Sequence, residues 1–391
     1  MDSSRLKRLV IEEVDKLRDE LVDVSCKIHA NPELGFEEYK AVEWLTGLLQ
    51  ANGFSIERNL AGLETAFKAT YVGRPGGPAV GLLAEYDALA NLGHACGHNI
   101  MGAASTGAAV AVSKVVGELA GEIAVIGTPA EEGGGGKDIM VRQGAFRGID
   151  VAMIVHPGTR TKAVTRALAS VTLDVEFTGK SAHAAARPED GVNALDAMIL
   201  SYNNINALRQ HMRSDARIHG IITNGGDAPN IVPSYTSGRF YVRAEDDAYL
   251  DVLLEKVIDC FRAGAQATGA KLEHRLAEAR YAPMKNNIAL ANTFSANLNE
   301  LGVSVLPNDV NRGSGSTDMG NVSQIVPSIH PSIAIASESI ATHSPEFAAA
   351  AVSEAGHLGL INAAKALAMT TIDILTDSTL LARIKEEFAQ K

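Results

Sequence analysis

The sequence has few cysteines and a deficit of positive charge. Only three cysteines occur in 391 residues, and the wide spacing of Cys26, Cys96 and Cys260 excludes a disulfide framework and favours a reducing compartment. Lys and Arg number 35 against 46 Asp and Glu, a formal net charge of −11. This balance disfavours nucleic acid as a partner, because phosphates require a basic surface.

The chain also lacks a long uncharged hydrophobic run. Its longest low-charge stretch, 102–121, consists mostly of small residues and contains Lys114 and Glu118, so it predicts a buried helix rather than a membrane span. The first residues carry charge before any apolar segment accumulates, and no secretory signal is visible. We therefore expect a cytoplasmic protein that does not bind membranes.

Length and pattern indicate two domains, one inserted into the other. At about 100–200 residues per domain, the chain is long enough for two full cores. A first amphipathic helix covers about thirty residues and ends at Asn31-Pro32. Short apolar runs then alternate with helical segments up to residue 168, which predicts a layered α/β sheet.

Between residues 169 and 281 the pattern changes to strand, helix, two strands, helix and strand. This β-α-β-β-α-β order is the ferredoxin-like arrangement. The α/β pattern returns from residue 282, with a strand at 332–336 and helices after Ala348. We expect one α/β domain, formed by 1–168 and 282–391, and an inserted α+β domain at 169–281.

Metal-ligating residue types follow four apolar runs of the α/β domain. Because binding sites in open α/β sheets form beyond the carboxyl ends of the strands, we expect these groups on one side of one sheet. Thiol, imidazole and carboxylate are ligands of zinc or a similar divalent ion, and the candidates are Cys96, His98, Glu132, His156 and His343. Singly, each is more often structural. Together they supply the roughly five or six ligands that two ions about 3.5–4 Å apart require.

Two carboxylates beside this set suggest other roles. Glu131 adjoins Glu132 on a turn, and neighbouring carboxylates can point to different atoms, so Glu131 is the candidate general base. Asp87 is either a strand-end cap or a carboxylate that orients a ligand imidazole. His94 resembles a ligand, but three metal groups within five residues would be crowded, and we leave it out.

The inserted domain has polar residues of its own. His183 follows a strand, Asn230 precedes Val232-Pro233, and Arg243 ends a strand. A neutral His and an Asn suit an oxyanion, and Arg suits a carboxylate, by the geometry of their donors. Loop caps and solvated charges are equally common roles for such residues.

Together these segments resemble the M20 family of metallopeptidases and amidohydrolases over nearly the whole chain. The cysteine in the string from His94 to His98 resembles the amidohydrolase branch, in which it replaces a bridging aspartate of the peptidase branch. Glu85 and Asn99 stand where that branch often has Asp, which is closer to the Xaa-Arg dipeptidase and aminobenzoyl-glutamate hydrolase subgroup. The strings that carry the resemblance are 84–89, 93–99, 128–136, 179–186 and 315–318.

The resemblance implies a mixed-sheet, zinc-peptidase-like catalytic domain, in which residues 169–281 form a lid and the dimerisation domain of a homodimer. It implies two divalent ions per chain, Zn²⁺ or Mn²⁺, on the five candidate ligands, with Glu131 as the base and Asp87 in support. It also implies that His183 reaches the active site of the other subunit. Asn230, Arg243 and Gly315 are then the candidate substrate-binding residues.

We therefore expect hydrolysis of a small amide or dipeptide, at the bond between an acyl or aminoacyl group and an amino acid or similar amine. The alternative with the same chemistry is an N-acyl-amino-acid deacylase. A different class is a thiol hydrolase with Cys96 as nucleophile and His98 as base, which leaves Glu131 without a role. A third is a binding protein that has lost turnover, against which the intact Glu131 argues.

Overall fold

The computed structural model describes residues 3–307 and 315–390, which form two compact units. Unit 1 lies within Met1–Arg166, Met284–Ser314 and Asp318–Lys391. Unit 2 comprises Ala167–Pro283 together with Gly315–Thr317. Each unit has a hydrophobic core of its own residues.

The helices and strands of the described chain are numbered in chain order. The helices are α1 Ser3–Lys16, α2 Arg18–Ala30, α3 Tyr39–Ala51, α4 His98–Ser113, α5 Gly136–Arg142, α6 Ala194–Leu208, α7 Asp247–Thr268, α8 Ile288–Glu300, α9 Met319–Ile325, α10 Pro345–Ala350, α11 Glu354–Thr376 and α12 Ser378–Gln390. The strands are β1 Ser55–Arg58, β2 Phe67–Val72, β3 Arg74–Glu85, β4 Ala120–Thr128, β5 Val151–Met153, β6 His156–Gly158, β7 Ala169–Thr178, β8 Arg217–Asn224, β9 Tyr235–Ala244, β10 Lys271–Tyr281, β11 Ser328–Ile329 and β12 Ser332–Ala334.

Unit 1 is organised around a mixed sheet with the strand order β1-β2-β4-β3-β5-β11. Its strands β4, β3, β5 and β11 run parallel, whereas β2 pairs antiparallel with β4 and β1 with β2. The carboxyl ends of β3 and β4 therefore lie side by side, with Glu85 opposite Thr128. The acidic residues that follow β3 and β4 are therefore placed at the same edge of the sheet.

The prediction that all the candidate ligands follow strands of one sheet was wrong for His343, whereas His156 still follows β5 of the six-stranded sheet. His156 begins β6, which pairs with β12 in a separate two-stranded sheet, and His343 follows β12. This pairing continues that of β5 with β11 in the same register, since His156 N donates to the carbonyl of Pro331 at 2.8 Å. Pro331 interrupts the ladder because it has no N–H to donate. Pro331 lies between β11 and β12, and Pro157 lies within β6.

The helices of unit 1 differ from the sequence prediction in one place and confirm it in another. The first thirty residues form α1 and α2, which are separated at Leu17, although the apolar periodicity continues across the break and so could not reveal it. The low-charge stretch lies in α4 as far as Ser113, and every residue of that helix is buried, as expected. Beyond Ser113 the stretch leaves the helix and reaches the start of β4. Helix α11 is apolar and long enough to span a membrane, but 72% of its most apolar window is buried inside the protein, as in a core helix.

Unit 2 has the predicted β-α-β-β-α-β order. Its strands form an antiparallel sheet in the order β10-β7-β9-β8. Alternate residues of β7, from Val171 to Phe177, are buried with apolar residues of α6 and α7, so the helices cover one face. Strand β8 lies at the edge of this sheet, with Ile221 and Ile222 exposed.

Candidate metal centre and active site

The turn before α4 places a cysteine and a histidine close to β6. Gly97 adopts a left-handed conformation (φ 82°) between Cys96 and His98, the first residue of the helix. A Cβ at Gly97 would lie 2.8 Å from Cγ of Pro157, so glycine is required both by the backbone angle and by the space. The close approach brings Cys96 beside His156, which precedes this proline.

Cys96 lies at the centre of the candidate ligands. Its Sγ is 3.4 Å from Nε2 of His156 and 3.3 Å from Nε2 of His343. The backbone N–H of His343 donates to the carbonyl of Ala95, which holds that loop beside the cysteine. Two groups of three ligand atoms, each within 4.8 Å of one another, share the sulfur: Cys96, His98 and His156, and Cys96, Glu132 and His343.

Asp87 connects two members of this cluster. Its Oδ1 is 3.1 Å from Nδ1 of His98, and its Oδ2 accepts a hydrogen bond of 2.9 Å from the backbone N–H of Glu132. Burial alone would raise the pKa of Asp87, but His98 and the Glu132 amide outweigh it and lower the pKa. Of the two alternatives left open for Asp87, the contacts favour orientation of a ligand imidazole.

Three polar atoms of the site make no hydrogen bond of good geometry within the described part of the chain. They are Oε1 of Glu85, Nε2 of His98 and Oε1 of Glu132. Nε2 of His98 is 3.1 Å from the Glu85 oxygen and 4.0 Å from the Glu132 oxygen. Because a buried polar atom without a partner is costly, convergent atoms of this kind suit a cation. Sulfur, imidazole and carboxylate together fit zinc or a similar divalent ion.

Burial changes the ionisation of these groups. It raises the pKa of the Cys96 thiol, and it raises the pKa of Glu131 well above the usual range, with Glu85 and Asp318 adding to the effect. Burial alone would lower the pKa of His98, but Glu85, Cys96 and Asp87 hold that pKa well above its ordinary value. Without a cation, the site therefore keeps protons on its thiol and on Glu131.

A buried ion-pair network at this site was missed in the sequence analysis. Nζ of Lys137 contacts Oε2 of Glu85 and lies 2.6 Å from Oδ1 of Asp318. The Lys137 backbone N–H donates to the other oxygen of Asp318 at 2.9 Å, and the lysine is fully buried. The available signal was a lysine directly after four glycines, Gly133–Gly136, in a segment that carries two carboxylates.

Asn99 and His94 lie close to Cys96 in the sequence but are not candidate ligands. Nδ2 of Asn99 donates to Oγ of Ser25 on α2 at 2.9 Å, so the departure from Asp at this position leaves the ligand set intact. His94 belongs to none of the ligand groups found among residues 3–307 and 315–390. Burial, with His98 and His29, lowers its pKa to about 3.

The remaining candidate residues belong to unit 2. His183 is exposed, and its Nδ1 accepts from the backbone N–H groups of Ala185 and Ala186. The segment of Asn230 pairs with that of His183 through a hydrogen bond of 3.0 Å from Ala184 N to Asn230 O.

Arg243 and Gly315 also lie in unit 2. Nε of Arg243 is buried and has no hydrogen-bond partner among the described residues, and the guanidinium lies 5.5 Å from the ring of Tyr241. The carbonyl of Gly315 accepts from Leu168 N. The roles of these four residues in unit 2 stay predictions.

A family model described as peptidase family M20/M25/M40 matches residues 82–363. The chain belongs to this family. It is 39% identical to a Xaa-Arg dipeptidase of Mus musculus over 99% of this chain and 93% of that one. It is 30% identical to one of the p-aminobenzoyl-glutamate hydrolase chains of Escherichia coli over 98% and 95% of the two sequences.

A solved structure of a dinuclear metal-binding M20 peptidase from Bacillus subtilis superposes with a TM-score of 0.70. That match covers 92% of this chain and 99% of the other, at 18% identity, and supports the fold. The predicted family, its subgroup and the mixed-sheet fold class are confirmed. As an M20 member with dipeptidase and amidohydrolase relatives, the chain is a hydrolytic enzyme that acts on amide bonds.

Replacing the buried lysine should destabilise this M20 enzyme. Lys137→Met leaves Glu85 and Asp318 buried without their cation, and breaking a buried pair of this kind costs about 3–5 kcal/mol in the free energy of unfolding. The matched control is Lys27→Met, which removes an exposed ion pair with Asp23 and should cost less than about 1 kcal/mol. Denaturant unfolding of both variants measures the difference. Equal stability of the two would contradict a structural role for the network.

Proposed function

We propose that the chain is a dipeptidase or amidohydrolase that uses two divalent ions, Zn²⁺ or Mn²⁺, held by Cys96, His98, Glu132, His156 and His343. The observation that carries this proposal is the position of the Cys96 sulfur, which two groups of ligand atoms share. A ligand shared in this way suits two ions about 3.5–4 Å apart. The unpartnered oxygen and nitrogen atoms around the sulfur support the same conclusion.

Bound ions would polarise the amide carbonyl and make water a better nucleophile near neutral pH. The residues of the chain then supply proton transfer and orientation. Glu131 accepts a proton from the attacking water and donates it to the leaving nitrogen, as a general base and then a general acid. The positive charge of bound ions would counteract the burial that raises its pKa and so favour the ionised form that the first step needs. Asp87 keeps the His98 ring in place through Nδ1, which leaves Nε2 directed at the cluster.

The substrate is a small dipeptide or N-acyl amino acid. The relatives named for Xaa-Arg and p-aminobenzoyl-glutamate hydrolysis support an amino acid on the amine side of the bond. N-acyl-amino-acid deacylation by the same residues is the second candidate. A thiol hydrolase is disfavoured, because a nucleophilic cysteine needs a lowered pKa and burial raises that of Cys96.

Unit 2 supplies the substrate-binding residues of this proposal. His183 and Asn230 hold the oxyanion, and Arg243 with Gly315 contacts the substrate. The buried Nε of Arg243 suits a carboxylate. We further propose a cytoplasmic homodimer that is joined through unit 2, since the exposed edge strand β8 can pair with a second copy.

Metal affinity should increase with pH. The thiol of Cys96 and the imidazolium of His98 have raised pKa values, so each must lose a proton when an ion binds. Because protons compete with the ion, affinity should fall as pH drops from about 8 to about 6. Calorimetric titration with Zn²⁺ in buffers of different ionisation enthalpy gives the number of protons released. Cys96→Ser should release fewer, and a pH-independent affinity would contradict this ligand set.

Substitution of the adjacent glutamates Glu131 and Glu132 should have different effects, a loss of turnover in one case and a loss of metal in the other. Glu131→Gln should keep both ions and the fold, yet lose about 10²-fold or more in turnover, because general base catalysis contributes at least that much. Glu132→Gln should lose metal. Elemental analysis and kcat on a dipeptide and N-acyl-amino-acid panel separate the two effects. The opposite pattern would reverse the assigned roles.

Mixed dimers test the role of His183. His183→Ala and Glu131→Gln homodimers should each be nearly inactive if His183 serves the active site of the other subunit. After subunit exchange, each heterodimer has one site with both groups intact. Random mixing makes about half of the dimers heterodimers, so roughly a quarter of the wild-type activity should return. If proven exchange restores nothing, His183 acts within its own chain or has no role in catalysis.

A further inference from the structure

The connection between α2 and α3 is bonded to both loops that carry the acidic residues of the site. We call this connection, residues 31–38, the strap. The carbonyl of Glu33 accepts a hydrogen bond of 2.8 Å from the backbone N–H of Ala88, the residue after Asp87. Oε1 of Glu38 accepts a hydrogen bond of 2.8 Å from the backbone N–H of Ala130, the residue before Glu131.

Glu38 does not use its side chain to cap the helix that it precedes. It stands at the N-cap position of α3 but makes no side-chain cap hydrogen bond there. The cap comes from Glu33, whose carboxylate accepts from the backbone N–H groups of Lys40 and Ala41 at 2.9 Å and 3.1 Å. Glu38 is therefore free to bind a residue 92 positions further along the chain.

The burial of Glu38 is complete and costly. The residue is 0% exposed, and the side chain of Thr65, which acts to lower the pKa of Glu38, only partly offsets its burial. A carboxyl group that leaves water without full compensation costs free energy, so fold stability alone does not explain it. Burial also raises its pKa to about 7, which makes a neutral amide a close substitute.

The amide that Glu38 binds belongs to a strained residue. Ala130 has φ 56°, in the left-handed region that residues other than glycine seldom adopt. The strap packs against it, since a Cβ on Gly35 would lie only 2.7 Å from the Ala130 Cβ. Contacts on several sides are what maintain such a conformation.

Glu131 lies between two anchored residues. On one side Ala130 is bound to Glu38, and on the other the backbone N–H of Glu132 is bound to Asp87. We propose that Glu38 is a positioning residue, which sets the direction of the Glu131 carboxylate through the Ala130 amide. This inference rests on the proposed role of Glu131 as general base.

Three substitutions separate positioning from stability. Glu38→Leu removes the acceptor at similar size, Glu38→Gln keeps an acceptor oxygen, and Glu37→Leu changes an exposed neighbour as a control. Glu38→Leu should lose about tenfold in kcat, with KM nearly unchanged and both ions retained, because a small misplacement of a catalytic group is enough for such a loss. Glu38→Gln and Glu37→Leu should stay close to wild type.

Hydrogen exchange gives a readout that does not depend on activity. Mass spectrometry of peptides that cover 128–136 should show faster exchange of the Ala130 amide in Glu38→Leu only. If Glu38→Leu does not fold, Gly35→Ala displaces Ala130 from the other side and should give the same selective loss of kcat. The proposal would be overturned if exchange of the Ala130 amide were unchanged in Glu38→Leu. It would also be overturned if the variant lost bound ions and kcat did not fall in the ion-loaded enzyme.

A double-mutant cycle decides whether Glu38 acts through Glu131. In a Glu131→Gln background, Glu38→Leu should lower turnover no further, because the group that it positions is already lost. A further tenfold loss would show that Glu38 acts by another route and would overturn the inference. If Glu131→Gln alone remains fully active, the proposed role of Glu131 fails, and the exchange result still tests the contact between Glu38 and Ala130.

Discussion

The site depends on one buried sulfur atom that must lie within reach of two imidazoles at once. Cys96 occupies the turn before α4, His156 begins β6, and His343 follows β12. These three segments belong to different parts of unit 1. Gly97 lets the turn approach Pro157, which brings Cys96 to His156, and the bond from His343 N to Ala95 O holds the third segment beside the cysteine. The left-handed conformation of His343 (φ 59°) is a second backbone requirement at the same point. The local geometry of each segment therefore serves one shared ligand.

Charge balance is the second constraint on this site. Glu85, Asp87, Glu131 and Asp318 cluster at the ends of β3 and β4 and at the start of α9. Burial opposes the ionisation of Asp87, Glu131 and Asp318. Lys137 compensates Glu85 and Asp318, and His98 compensates Asp87. The pKa of Glu131 is raised by its burial, and Glu85 and Asp318 add to the effect.

The sequence predicts the ligands better than the framework that holds them. The convergence of Cys96, His98 and Glu132 could be predicted because metal chemistry restricts residue type and strand ends restrict position. The division into two sheets could not, since it depends on which strands pair across Pro331. Glu38 and Lys137 contact residues 92 and 181 positions away, and neither helical nor strand periodicity relates positions so distant. Contacts of this kind follow from the fold, not from a local pattern.

We propose that two metal ions share the Cys96 sulfur. A crystal structure of the enzyme loaded with Zn²⁺, with anomalous difference maps on both sides of the zinc edge, tests it most directly. The account predicts two peaks about 3.5–4 Å apart, with Sγ of Cys96 about 2.3 Å from each. His98 and His156 should lie on one ion, and Glu132 and His343 on the other. A single peak, or two peaks with Cys96 bound to neither, would contradict it.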